Sequence, residues 1–138
     1  MQALKDYTGS VYGGLGHLLY AYYQAQELAI PEKLLQVQNL ERFDYTLWRD
    51  LLMALDTQLQ QPVLGLKIAA LVQPKHLGII AYIAMSCENL GEALHRYHDF
   101  HRLIYDGGPL HVAAHGEITS IRWSDLPPNM TTQITDEI

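Results

Sequence analysis

Three histidines follow one another at intervals of three residues, a spacing that can serve metal ions. His95, His98 and His101 fall on one predicted helix, and residues three apart are neighbours on a helix surface. Two imidazoles could approach one zinc ion, but the third drifts around the helix, and the single Cys87 adds no ligand cluster. We therefore expect solvated or hydrogen-bonded histidines and no bound metal. His101 as a haem ligand is an alternative that no second feature supports.

The sequence lacks the common motifs of nucleophilic and phosphate-binding enzymes. Neither Ser86 nor Ser124 lies in a nucleophile elbow, which would need flanking glycines at fixed positions. The glycine-rich run at positions 13–16 is not followed by the Lys and Ser/Thr of a P-loop, and no strand is predicted before it. We expect this run to form a flexible entry to a helix. The chain is predicted not to be an enzyme and to need no cofactor.

Aromatic residues with polar tips indicate a pocket for a small organic molecule. Such side chains line ligand pockets, although they also occur in interfaces and ordinary cores. Tyrosines crowd the first predicted helix and recur later in the chain. Arg102 could hold an anionic group through two parallel hydrogen bonds. The candidate ligand-binding residues are Tyr82, Tyr97, His101, Arg102, Tyr105 and Trp123.

Composition and charge argue against direct contact with DNA. The chain has 138 residues, with 9 Lys and Arg against 15 Asp and Glu, and a net charge of −6. Nucleic-acid surfaces cluster basic residues to displace counterions from phosphates, whereas here they are scattered singly. One cysteine, no signal-peptide pattern and no apolar run of about 18 residues predict a cytoplasmic protein that spans no membrane.

Helical periodicity and capping residues predict that the first two-thirds of the chain is helical. Leucines recur every fourth residue between positions 47 and 59, behind a cap at Asp44 or Thr46. Asn89 is expected to cap a later helix, with Glu92 returning a hydrogen bond to the Asn89 N–H. The predicted helices cover residues 10–28, 31–37, 47–59, 62–72 (ended by Pro74), 75–86 and 90–105.

The last predicted helix should connect the helical part to the strands that follow. Leu94, Tyr97 and His101 continue one face of this helix at spacings of three and four residues, so we expect that face to pack inward. A ligand seated between the helices and the strands would then touch it.

The final third of the chain has the pattern of short strands. Residues 110–114 and 118–123 are β-prone, and His115-Gly116-Glu117 between them predicts a hairpin. A third run, 131–138, alternates weakly and is expected to be another strand. These elements predict one α+β domain over residues 1–138, with the helical two-thirds packed on a small antiparallel sheet. Open strand edges predict that more chain or another chain completes the sheet, so the domain is expected to be truncated.

Four motifs in the middle of the chain resemble those of a known family. They are PVLGL at 62–66, Pro74 with Leu77-Gly78, LGEAL at 90–94, and HRL at 101–103 followed by Asp106-Gly107. In this combination they are similar to the N-terminal effector domain, the arabinose-binding-like domain, of AraC/XylS-type transcriptional regulators. Fold-level kinship does not fix a ligand.

The resemblance implies a regulator that senses a small-molecule effector and forms a homodimer. It also implies that DNA is bound only through a C-terminal helix-turn-helix domain that this chain does not contain. The alternative is a structural dimerisation module that binds no ligand. A metal- or haem-dependent protein using His101 is the third interpretation.

Overall fold

The computed structural model describes residues 9–106, 110–123 and 133–138, except for the side chains of residues 123, 133 and 136. Within these ranges, no helix is long and apolar enough to cross a membrane. The elements in chain order are β1 (Ser10–Tyr12), α1 (Gly14–Ala25), α2 (Glu32–Val37), β2 (Arg42–Asp44), α3 (Tyr45–Leu59), α4 (Leu64–Ala69), α5 (Pro74–Leu77), α6 (Ile79–Met85), α7 (Leu90–Phe100), a 3-10 turn (His101–Leu103), β3 (Tyr105–Asp106), β4 (Leu110–His115), β5 (Ile118–Trp123) and α8 (Gln133–Glu137).

The hydrophobic core lies among α1, α2, α3 and α4. Helix α3 begins where the sequence predicts, because the Asp44 carboxylate accepts hydrogen bonds from the Thr46 N–H at 2.9 Å and the Thr46 hydroxyl at 2.8 Å. The leucine stripe of α3 is buried with the inner face of α1. The fully buried large side chains include Leu18, Leu19, Tyr23, Leu34, Leu52, Leu55, Leu64 and Ile68.

A three-stranded antiparallel sheet closes one end of this core, with strand order β2-β1-β3. Val11 at its centre is opposite Phe43 on β2 and Tyr105 on β3. The prediction of a helix from residue 10 is wrong at its start, because β1 pairs with segments far away in the sequence. Gly13 permits the chain to turn there, since a Cβ at this position would collide with the Leu40 carbonyl oxygen.

The single helix predicted over 75–86 is two helices, because Gly78 interrupts it with φ of +68°. The ring of Tyr12 packs against Gly78, at 3.0 to 3.1 Å from where a Cβ would stand. Pro74, expected to end a helix, instead opens α5 as one of its first residues. Proline is suited to that place because its missing N–H would have no helical partner.

Helix α7 is capped by Asn89, whose side-chain oxygen accepts a hydrogen bond from the Glu92 N–H at 2.8 Å. The return bond is one residue earlier than predicted, because the Glu92 carboxylate accepts from the Glu88 N–H at 3.1 Å. The helix ends at Phe100 and tightens into the 3-10 turn instead of reaching residue 105. No residue of α7 is buried, and Leu94 is half-buried, so the expected inward face is only partly covered.

The predicted hairpin is present, with β4 and β5 paired from Leu110↔Trp123 to His115↔Ile118. Gly116 adopts φ of +61° in its tight turn, a conformation that favours glycine. The third predicted strand is wrong, since residues 133–137 form α8. Helix α8 docks on α4, where the Glu137 carboxylate accepts a hydrogen bond from the Gly65 N–H at 3.0 Å. The α+β fold class is confirmed, with the C-terminal third supplying the hairpin and with β3 completing a sheet whose other strands come from the N-terminal half.

Candidate functional site

The carboxyl end of α7 brings together two of the predicted ligand-binding residues. The rings of Tyr97 and His101 lie 6.3 Å apart between centroids, and those of His98 and His101 lie 6.4 Å apart. The His101 ring is held by a hydrogen bond of 2.8 Å between Nδ1 and the His98 carbonyl oxygen. These contacts hold the phenol of Tyr97, in the last turn of α7, beside the imidazole of His101, in the 3-10 turn that follows.

Tyr97 is partly exposed to solvent and partly enclosed by the protein. Burial raises the pKa of Tyr97, although 39% of the residue is exposed. Desolvation acts on the ionising oxygen and favours the neutral phenol. A neutral phenol at this place can both donate and accept a hydrogen bond.

Arg102 follows the ring pair and is bonded to a carboxylate of the same chain. Its Nε donates to Asp106 Oδ1 at 2.8 Å and its second guanidinium nitrogen to Oδ2 at 3.2 Å. Asp106 is only 6% exposed, whereas the Arg102 side chain is largely in solvent. The bidentate geometry predicted for an anionic ligand is thus occupied by Asp106.

Arg42 ties this segment to the three-stranded sheet. Its guanidinium donates to the backbone carbonyls of Leu103 at 2.6 Å and Arg102 at 3.2 Å. The same side chain donates to the Ser10 hydroxyl at 2.8 Å. A movement of the 3-10 turn would therefore change the hydrogen bonds that join it to β1 and β2. No local sequence pattern marks Arg42, because its partners are 32 and 61 positions away along the chain.

The remaining predicted site residues are dispersed. The ring of Tyr105 packs on that of Tyr45 at 4.9 Å, turned toward α3. Tyr82 stands on α6 with 59% of its surface exposed. Trp123 pairs with Leu110 through the backbone of the hairpin, and its side chain lies outside the described part of the molecule. Across residues 9–106, 110–123 and 133–138, no group of three His, Cys, Asp or Glu side chains could hold a metal ion.

A separate cleft of about 300 Å³ opens at the start of α1. His17 lies on its wall with Nε2 hydrogen-bonded to the Gln38 carbonyl oxygen at 2.7 Å. The Gln38 amide in turn donates to the carbonyls of Gly16 at 3.1 Å and Leu34 at 2.9 Å, so the wall between α1 and α2 is rigidly held. The cleft was not predicted from the sequence, although Gly13 and Gly14 of the glycine-rich run line it. The lining residues are Tyr12, Gly13, Gly14, His17, Gln38, Asn39, Leu40 and Glu41.

His76 lies on α5, which packs against α1. It was not predicted from the sequence as a functional residue. The residue is 2% exposed, and its Nδ1 accepts a hydrogen bond from the Gln73 N–H at 2.9 Å. Burial lowers the pKa of His76, with smaller contributions from Lys75 and His17. An imidazole that accepts an N–H at Nδ1 is neutral there, so His76 acts as a structural cap of α5.

Comparison with known proteins defines the class of this domain. Residues 24–136 match the family model described as the arabinose-binding domain of AraC transcription regulators, N-terminal. The match extends over most of the chain, which therefore belongs to this family of regulatory domains, as its motifs predict. A search of curated proteins and a search of solved structures each gave no match.

Proposed function

We propose that this chain is the effector-sensing domain of an AraC-type regulator, that it acts as a homodimer in the cytoplasm and that it has no catalytic activity. A small organic molecule binds it and changes the behaviour of a DNA-binding domain that follows in the full-length protein. The observation that carries this proposal is the family match over residues 24–136. The ligand can shift the domain only by its difference in affinity for two arrangements.

The proposed effector site is the end of α7, around Tyr97, His101 and Arg102. An imidazole, a phenol and a guanidinium there offer both ring surfaces and hydrogen-bonding groups, as small-ligand sites require. Tyr82, Tyr105 and Trp123 are the other members of the set predicted from the sequence. An anionic group on the effector would compete with Asp106 for Arg102. Arg42 hydrogen-bonds both the 3-10 turn and β1. A ligand that displaces Asp106 and moves the turn would therefore change the contacts of Arg42 with the sheet.

The cleft at the start of α1 is the rival location for the same function. It is concave in the present arrangement, and His17 and Glu41 line it. Its position places the effector beside α2 and the loop that follows α2. Substitutions in the two places therefore separate the two sites.

A thermal-shift screen tests the proposal with arabinose, other sugars, amino acids and fatty acids as probes. A ligand that binds only the folded state at about 100 times its Kd adds about 2.7 kcal/mol of stability, which raises Tm clearly. We expect at least one probe to raise Tm, with the rise lost in Tyr97→Ala and retained in the matched His17→Ala variant. The reverse result would move the site to the cleft. No rise with any probe would favour the alternative of a dimerisation module without a ligand.

A further inference from the structure

Helix α6 is apolar on every side, yet half of it faces solvent. Its seven residues are Ile, Ala, Tyr and Met only. Ile80 and Ala81 are buried, whereas Ile79, Tyr82 and Met85 are 64, 59 and 69% exposed. A helix that is hydrophobic all round is normally buried on all sides. The outer side of α6 is therefore an apolar surface that the described residues of the chain leave exposed.

Helix α7 continues this surface. Leu90, Tyr97 and Phe100 are 74, 39 and 39% exposed, and at 100° per residue they fall within an arc of about 80°. By the same rotation the charged residues Glu92, Arg96 and Asp99 fall outside this arc, with Arg96 about 40° from Phe100. Helices α6 and α7 pack against each other, so their two apolar stripes are on neighbouring elements. We call the six exposed residues Ile79, Tyr82, Met85, Leu90, Tyr97 and Phe100 the α6–α7 face.

The exposed area of this face matches what a protein dimer needs. With roughly 200 Å² for a fully exposed large side chain, within the range for aromatic residues, the six exposed fractions correspond to roughly 700 Å². That area exceeds the ~300–600 Å² of the largest apolar patch on a typical monomer. It approaches the ~800 Å² that each partner buries in a standard interface.

We infer that the α6–α7 face is the surface on which a second copy of this chain docks, as a two-fold symmetric packing of helices. A two-fold contact brings the same patch of both copies together, so like charges in the patch would oppose one another. The six residues of the face carry no charge, and the charged residues of α7 lie outside its arc, with Arg96 at its edge. This inference rests on the proposed homodimer and specifies the surface that forms it.

The face includes Tyr82 and Tyr97, which also belong to the proposed set of effector-binding residues. A ligand that contacts Tyr97 and His101 would therefore lie at the margin of the docking surface. Effector binding and dimer formation would then share one helix. Ligand and partner should change each other's affinity by the same factor, since coupling between binding sites is reciprocal.

Sedimentation equilibrium of the 138-residue chain over a concentration series tests the inference. Met85→Lys and Tyr82→Lys place a charge on the face at residues that are exposed in the monomer, so folding should be retained. Leu66→Lys is the matched control, because Leu66 is 54% exposed on α4, which packs on α1 and α8. We expect the wild-type chain and the control to dimerise, and each face variant to raise the dimer Kd at least tenfold.

Two results would overturn the docking surface. One is a wild-type chain that stays monomeric throughout the series. That result would hold if a linked DNA-binding domain, and not a second copy, covers the α6–α7 face in a longer protein. The other is a dimer that Leu66→Lys weakens as much as Met85→Lys does. Effector sensing is tested separately, because a monomeric chain that still gains Tm with a probe keeps the sensing proposal and loses only this surface.

Discussion

Helices α3 and α7 have similar sequence patterns but differ in how far they are buried. Both start at a side-chain cap, Asp44 or Asn89, and both carry an apolar stripe at helical period. Yet α3 buries five residues, whereas α7 buries none. The difference shows that helical periodicity predicts that a helix will form and which side is apolar. It does not tell what covers that side, and the described residues of the chain cover the apolar side of α7 only in part.

The largest contrast between the two helices should appear on truncating a leucine in each. Leu52 is 0% exposed in α3, and Leu52→Ala should lower the free energy of unfolding by ~2–5 kcal/mol through lost burial and a cavity. Leu94 is half-buried in α7, so Leu94→Ala should cost clearly less. Urea denaturation monitored by circular dichroism measures both. Equal losses would show that α7 is as well packed as α3 and would remove the contrast.

The contrast also explains which parts of the fold the sequence could predict. Asp44, Asn89 and the turn at Gly116 act on residues within four positions, so the sequence predicts α3 and the hairpin close to their bounds and α7 at its start, but not the end of α7 at Phe100. It does not predict β1 and α8, because Val11 is stabilised by Phe43 and Tyr105, and Glu137 bonds to Gly65 across 72 positions. Such distant partners leave no local pattern. In the candidate site, Tyr97 and His101 are four residues apart, so the sequence predicts them together. Arg42 and the cleft depend on contacts between distant segments, which only the fold shows.

Removing Arg102 tests how firmly the α7 region is tied to the sheet. Arg102→Ala leaves the buried Asp106 carboxylate without its bidentate partner, which is costly. Because the Arg102 side chain is 65% exposed, screening reduces the loss to about 1–2 kcal/mol. Asp50→Asn is the control, since that carboxylate is 63% exposed in its pair with Arg49 and should matter by less than about 0.5 kcal/mol. A loss no greater than the control's would mean that water replaces Arg102 at Asp106.

Acidification should lower the free energy of unfolding through protonation of His76. Its pKa is lowered by burial, by Lys75 and by His17, so the unfolded chain binds the proton more readily than the folded one. The stabilising contribution is therefore complete above pH 6.5 and is lost as the pH falls below that value toward the folded-state pKa. Denaturation midpoints compared between wild type and His76→Gln across this range isolate the effect. A difference that does not change with pH would show that His76 takes up no extra proton on unfolding.

The smallest effect is expected at the histidines of α7. His95 is exposed and His98 is half-buried beside Asp99, at 3.3 Å. His95→Gln and His98→Gln should each change the free energy of unfolding by no more than ~0.5 kcal/mol, as is usual for surface positions. Elemental analysis of the purified wild-type chain provides the second readout. Stoichiometric zinc that disappears with either substitution would contradict this prediction and establish a metal site.

Hydrogen–deuterium exchange, with and without the probe that most raises Tm, tests the central claim most directly. The proposed effector site predicts slower exchange in the amides of α7, the 3-10 turn and β3, where Tyr97, His101 and Arg102 lie. It also predicts that this protection is absent in Tyr97→Ala and intact in His17→Ala. Protection confined to α1 and the loop after α2 would contradict the site, and unchanged exchange throughout the chain would contradict effector sensing itself.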